Sequence, residues 1–451
     1  MTKQISNAEK LGAYIADTPN RTLPGEVINA ARLCFSDWLS VAIGARDEPA
    51  GAVVRKQVAA MRSAGQSSVL FGGTAAPAMA ALANGTLAHC LDFDDTHVDA
   101  NTHTSAPVWA ATLAVGEQIN TDEMTLLRAF VTGFEVSTQV GRGLGPSVTA
   151  RGLHATGVFG RIGAAAATAA LLGLDAQRSA HALAAAATQS SGLTASFGSM
   201  AKPYHAGKAA MDGVLSAQLA ADGFEAVPGV LEPGGGLDRA IIQDGSLQLA
   251  AVDFSQWGIL RNSFKPYAAC HLTHPTIDAA RALRASNDKH IDPAHIRAAR
   301  AQVCELAQQV TGRTAGRPET PLAAKFDLRY CTALALHGHD LSAGDFNPDW
   351  SLDPRIAATA ANIDTTSNAD IGYTGARLEV EMDDGRIESI EIEVAKGHPG
   401  NPIDWNDMRL KFDGLVDGRI GDQAEHLFTA LRDFGGAGSL GQVRDVVRAL
   451  A

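Results

Sequence analysis

The sequence is poor in aromatic side chains, in cations and in long apolar runs. Phe, Trp and Tyr make up 6% of its 451 residues, which favours closely packed helices over a β-sandwich. Lys and Arg number 37 against 49 Asp and Glu, a formal net charge of −12, so the chain carries no basic footprint for nucleic acid. A field of that sign repels anions, and an anionic substrate would need a local positive pocket. The longest apolar runs, such as residues 164–174, are short of a bilayer span and contain small residues; no membrane partner is expected. The first ten residues hold no apolar signal region. Five cysteines, Cys34, Cys90, Cys270, Cys304 and Cys331, show no CxxC spacing. An odd, scattered set reads as reduced core thiols in a cytoplasmic protein. There is no internal repeat, and the glycine run at 234–236 lacks the Lys-Ser/Thr of a phosphate loop.

Alanine and glycine are abundant instead. The length exceeds that of one usual core, so two domains are expected. Apolar spacing predicts helices over 5–16, from Pro24 to Ile43, over 50–61, from Pro77, and over 108–119, 123–141, 160–172, 175–187 and 200–221. Gly145-Pro146 is read as a break. These helices can close into one all-α domain of short-loop pairs. The pattern changes after about residue 288. Residues 296–307 fit a strand or a helix, and 377–394 alternate apolar and charged residues around Asp384-Gly385, a hairpin signal. Helical spacing returns from Asp404. The expected fold is mainly α: an all-helical domain over 1–264, a smaller inserted α+β lid over 265–397, and helices over 398–451 that rejoin the first domain.

Four polar stretches interrupt the helices. Residues 84–107 hold His89, His97 and His103 with Asp92, Asp94, Asp95 and Asp99, and such a cluster is costly to bury unless it is hydrogen-bonded or functional. If the helix continues past His89, His89 and Asp92 share a face. Asp94, Asp95 and Asp99 read as capping and loop residues. A metal reading would use His89, Asp92, Asp95 and His103, but their spacing matches no named ligand motif. The second stretch places His154 in a glycine-flanked turn before an Ala-rich helix, where the helix dipole would keep it neutral. The third holds Lys202, His205 and Lys208 at a helix start, where cations oppose the dipole and suggest a solvated end or an anion site. The fourth holds Lys265, His271 and His274 at the expected domain junction. Neutral imidazoles and lysines together suit holding carboxylates and moving a proton beside them.

The phrases His-Cys-Leu-Asp-Phe-Asp-Asp-Thr-His, Gly-Leu-His-Ala-Thr-Gly-Val-Phe-Gly, Ala-Lys-Pro-Tyr-His-Ala-Gly-Lys-Ala-Ala, Lys-Pro-Tyr-Ala-Ala-Cys-His-Leu-Thr-His-Pro and Ala-Lys-Phe-Asp-Leu-Arg-Tyr-Cys resemble the MmgE/PrpD family, in the family's order and over nearly the whole chain. Its members include 2-methylcitrate dehydratase, cis-aconitate decarboxylase and iminodisuccinate epimerase. The resemblance implies a large helical domain with an α+β lid, a homodimer, and no required cofactor or metal. It assigns catalytic roles to His103, His154, Asp92, Lys202 and Tyr330, and substrate contacts to Thr96, Lys265 and His271, where many relatives carry Arg in place of His271. The loop before His103 is one residue longer here, so His97 competes with His103 for a place at the substrate. Lys208 is a further candidate for holding a carboxylate. The expected activity is a cofactor-independent lyase acting on a small di- or tricarboxylate through a carbanion or enolate. Epimerisation of a dicarboxylate such as iminodisuccinate is the alternative, and a metal-dependent hydrolase is the alternative from another class. The Trp-Gly-His phrase associated with the methylcitrate dehydratase branch is absent.

Overall fold

The computed structural model describes residues 5–286, 291–312, 318–346 and 353–450. The chain forms two units, Met1–Ser263 with Met408–Ala451, and Phe264–Asp407. The fold is mainly α, with strands concentrated in the smaller unit.

Local sequence sets the helix boundaries of the first unit. Ser6 and Glu9 form a capping box on Asn7–Ala16. Asp122 and Asp175 accept backbone N–H groups at the starts of Glu123–Gly141 and Ala176–Ala187. Pro49 and Pro77 open Pro49–Met61 and Pro77–His89. Ala201–Ala221 lies against Pro77–His89 and Ala155–Leu171, and small residues allow the approach. A Cβ on Gly207 would stand 2.2 Å from the Leu82 carbonyl oxygen, and one on Gly133 would stand 2.6 Å from that of Gly163. Only glycine permits such backbone contact. The scarce aromatics gather nearby: Trp109 stacks between Phe35 and Phe130, each at 4.2 Å between ring centroids.

Three expectations for this unit change. It is not purely helical, because Ser67–Val69 pairs with Gly73–Ala75, and Thr96–His97 pairs with Asn262–Ser263, both antiparallel. Asn84 braces the first ribbon by accepting from Leu70 N–H at 2.9 Å and donating to Ser68 O at 2.8 Å. Gly145-Pro146 opens a short helix, Gly145–Ala150, in which proline's missing N–H is unneeded in the first turn. The Ala-rich helix expected from 160 begins at Ala155.

In the second unit a four-stranded sheet runs in the order Ile363–Ser367, Ile296–Val303, Ala376–Met382, Ile387–Ile392. The first pair is parallel and the others are antiparallel. The ambiguous 296–307 segment divides into the strand Ile296–Val303 and the start of helix Glu305–Thr311. Alternation along Ala376–Met382 buries Leu378, Val380 and Met382, and Gly385 takes the positive φ of 83° that the hairpin turn requires. His274–Ala285 lies against Leu328–Leu336, which in turn lies against Pro354–Ala361. Among the described residues, no helix is long and apolar enough to cross a membrane.

Candidate active site

The helix Pro77–His89 ends at the first imidazole of a polar cluster in the first unit. The helix does not continue to Asp92. Asp92 adopts a left-handed conformation, φ 53°, which aspartate tolerates better than most residues. The reversal returns the chain so that Asp94, not Asp92, meets His89: His89 Nδ1 lies 2.9 and 3.0 Å from the two Asp94 oxygens. His103 Nδ1 lies 3.2 Å from Asp94 Oδ2, and its Nε2 lies 3.8 Å from Asp92 Oδ1. Lys202 Nζ pairs with Asp92 Oδ1 at 2.7 Å. Thr96 Oγ1 is 3.5 Å from His103 Nδ1, and the His103 backbone N–H donates to Thr156 Oγ1 at 3.0 Å.

His154 stands at the head of Ala155–Leu171, where its N–H donates to Gly192 O at 2.9 Å. Its ring stacks on His89 at 5.5 Å, and its Nδ1 meets Nδ1 of His205 at 3.2 Å. Thus Asp92, Thr96, His103, His154 and Lys202 come together with three residues the sequence reading left aside: His89, Asp94 and His205. Burial pushes His89 down to about 4, against the opposing pull of Asp94. Burial also depresses His154, reinforced by His89, Lys202, His103 and His205. The expected helix dipole is not the main cause. Burial would raise the Asp94 carboxyl, but His103 and His89 outweigh it and hold that group well below the usual carboxylate range. The cluster therefore combines neutral imidazoles, an ionised buried carboxylate and a lysine–aspartate pair.

Other candidates lie elsewhere. His97 is buried; its Nε2 donates to Gly258 O at 3.1 Å and its Nδ1 accepts from Ala100 N–H at 3.2 Å. Both nitrogens serve the loop backbone, so of His97 and His103 it is His103 that lies in the cluster. Lys208 is engaged by Asp212, whose other oxygen takes Arg161 Nη1 at 2.9 Å, so its ammonium is committed within the helix layer. Asp99 pairs with Arg261. Asp95 is fully buried below the turn: it accepts from Ser105 and from Asn262 Nδ2 at 2.8 Å, and its N–H donates to Asp37 at 2.9 Å. Asp37 in turn pairs with Lys411 at 2.5 Å, and Lys411 also donates to Phe93 O at 2.6 Å. This network fixes the turn from beneath.

Lys265, His271 and Tyr330 belong to the second unit. Lys265 is buried. His271 opens a short helical turn with its ring 4.7 Å from that of His274, whose Nε2 donates to Ala269 O at 3.1 Å. Tyr330 is buried on Leu328–Leu336, a helix capped by Asp327, and lines a cavity of about 430 Å³ with Asp327, Arg329 and Ala357.

The four-residue metal set is not assembled, because Asp95 faces Ser105 and Asn262. Among the described residues, His89, Asp94 and His103 offer ligand atoms within 4.8 Å of one another. A cation there would have to come between the Asp94 oxygens and the Nδ1 atoms of His89 and His103 that now face them.

Comparison with known proteins matches residues 9–250 to the MmgE/PrpD N-terminal domain and residues 267–433 to the MmgE/PrpD C-terminal domain. The chain is 25% identical over 435 residues to cis-aconitate decarboxylase of Aspergillus terreus, covering 88% of this chain and 89% of the relative. It is 26% identical over 356 residues to cis-aconitate decarboxylase of Mus musculus, covering 74% and 71%. It is 24% identical over 437 residues to a cis-aconitate decarboxylase-like protein of Aspergillus oryzae, covering 90% of each.

Proposed function

Since the chain belongs to the MmgE/PrpD family, we propose that it is a cofactor-independent lyase that removes carbon dioxide from a small tricarboxylate, with cis-aconitate as the substrate to test first. The observation that carries this reading is the juxtaposition of His103 with the Asp92–Lys202 ion pair, 3.8 and 2.7 Å apart in succession. Lys202 supplies a fixed cation for a substrate carboxylate. The bond to the departing carboxylate breaks, and its electron pair stays on the carbon skeleton, spread into the neighbouring unsaturation. His103 then gives that carbon a proton. His154, kept neutral by burial, lines the cluster as a hydrogen-bonding group without adding charge. On the resemblance, Tyr330 is a further catalytic group, and Thr96, Lys265 and His271 hold substrate; His97 and Lys208 are omitted, given the partners described above. The relatives' names favour decarboxylation over dehydration or epimerisation. A homodimer and a cytoplasmic location complete the proposal, and light scattering checks the first.

Incubation with cis-aconitate in deuterated water, followed by NMR, tests the reaction. Carbon dioxide release with one deuterium delivered to the product carbon is expected. His103→Ala should keep its helical circular dichroism and lose about 10²- to 10⁴-fold in turnover, the usual contribution of a general acid. Unchanged turnover in that variant would refute the assignment.

A further inference from the structure

We propose that Asp94 is the positioning residue of His103: its carboxylate keeps a proton on Nδ1 and leaves Nε2 as the nitrogen that exchanges a proton with substrate. The inference rests on the lyase reading and adds a residue that reading does not use.

The geometry has three parts. Asp94 is buried, and His89 holds it in place, donating from Nδ1 to both carboxylate oxygens at 2.9 and 3.0 Å. Its Oδ2 then stands 3.2 Å from His103 Nδ1. Thr96 Oγ1 stands 3.5 Å from the same nitrogen, and a hydroxyl can accept as well as donate, whereas an ionised carboxylate only accepts, so the tautomer with a proton on Nδ1 is the one that suits both contacts. Finally, His103 Nε2 points to the opposite side, towards Asp92 and Lys202.

The charged and titratable groups around His103 and Asp94 come from several elements. His89 comes from the end of Pro77–His89, His154 from the head of Ala155–Leu171, and Lys202 from Ala201–Ala221; Asp92 and Asp94 come from the turn between. Of the two carboxylates, Asp92 faces Lys202. The ring nitrogens that meet Asp94 are those of His89 and His103, and the Asp37 and Asp95 carboxyls are near enough to interact with its charge; His89 is kept neutral by burial, so it gives Asp94 an N–H without a charge.

The proton inventory is simple. His103, protonated on both nitrogens, loses the Nε2 proton as the N–H bond breaks and a C–H bond forms to the carbanion carbon. The neutral ring keeps its Nδ1 proton beside Asp94. Nε2 regains a proton from water, to which the side chain is 13% exposed.

The test is ¹⁵N NMR of protein labelled in its histidine rings, with His103 assigned by loss of its signals in His103→Gln. In the resting wild-type protein at high pH, Nδ1 of His103 should be protonated and Nε2 bare. In Asp94→Asn the amide oxygen can stay with His89, which turns the NH₂ group towards His103 Nδ1 and selects the opposite tautomer. Turnover should then fall about 10²- to 10⁴-fold, and the pH profile of kcat/KM should differ from that of the wild type. A wild-type spectrum with bare Nδ1 overturns the proposal even if the variant fails to fold. So does an Asp94→Asn enzyme with the wild-type tautomer and pH profile. Absence of turnover on any polycarboxylate overturns the lyase reading instead, because the tautomer is read without substrate.

Discussion

Asp95→Asn probes the network that supports the turn carrying Asp92 and Asp94. Asp95 is fully buried. Burial, and then the charge of Asp37, raise its carboxyl from 3.8 to about 7, against the hydrogen bonds of Ser105 and Asn262. Asp37 is the member paired with Lys411, so the proton shared by the two acids belongs on Asp95. A carboxyl raised on folding stabilises the folded state fully below its unfolded pKa, and that contribution is lost as pH rises through the folded value. The window is therefore about pH 4 to 7. Three units at about 1.4 kcal/mol each give about 4 kcal/mol. An amide cannot titrate; it keeps one acceptor and loses hydrogen bonding worth about 1 kcal/mol. Asp95→Asn should then be less stable than wild type by about 1 kcal/mol at pH 4 and more stable by about 3 kcal/mol at pH 8, with the curves crossing between. The assay is urea unfolding across this range, followed by the fluorescence of Trp38 and Trp109, both buried in the first unit, in proteins whose other tryptophans, Trp257, Trp350 and Trp405, are replaced by Phe. That probe matters because two units need not unfold together. Parallel curves for the two proteins would refute the reasoning, since they would mean that Asp95 is ionised in the folded state throughout.

Gly207→Ala should destabilise the first unit by about 3 kcal/mol or more, because the new Cβ would lie 2.2 Å from both Leu82 O and Thr86 Oγ1; Gly25→Ala, with nothing within 4 Å, is the control and should be neutral or slightly stabilising by thermal melting. Lys265→Met should lower kcat/KM about 10- to 100-fold, the worth of a charge-assisted hydrogen bond to a carboxylate, while far-UV circular dichroism is unchanged; an undiminished kcat/KM would remove Lys265 from substrate binding.

The helices were legible because their signals are local. Ser6, Asp122 and Asp175 cap, Pro49 and Pro77 open, and the apolar spacing does the rest. The hairpin about Asp384-Gly385 was legible for the same reason. Of the two small ribbons the first was legible in part, since residues 68–72 read as a short extended piece ending at a glycine pair, but its brace from Asn84 on a helix was not; the other joins Thr96–His97 to Asn262–Ser263 across more than 160 positions, a pairing no window of sequence contains.

The site shows the same division more sharply. Residue types alone marked the stretches that hold His103, His154 and Lys202, because imidazoles and lysines beside helix ends are chemically unusual wherever they sit. Their partners depend on one backbone angle. With a right-handed Asp92 the helix would run on, and His89 would share a face with Asp92, as its three-residue spacing suggests. With φ at 53° the chain turns back, Asp94 reaches His89 and His103, and Asp92 is released to Lys202. Asp94 and Asp95 are adjacent acids with equal capping propensity, yet two imidazoles hold the one well below the usual carboxylate range while burial and the charge of Asp37 raise the other to about 7. Neighbours decide between those states, Lys411 and Asp37 on one side and two histidines on the other, and Lys411 lies more than 300 residues away in the chain. The choice between His97 and His103 follows from the same turn: once Gly258 O and Ala100 N–H have taken both nitrogens of His97, only His103 has a nitrogen left to face the Asp92–Lys202 pair.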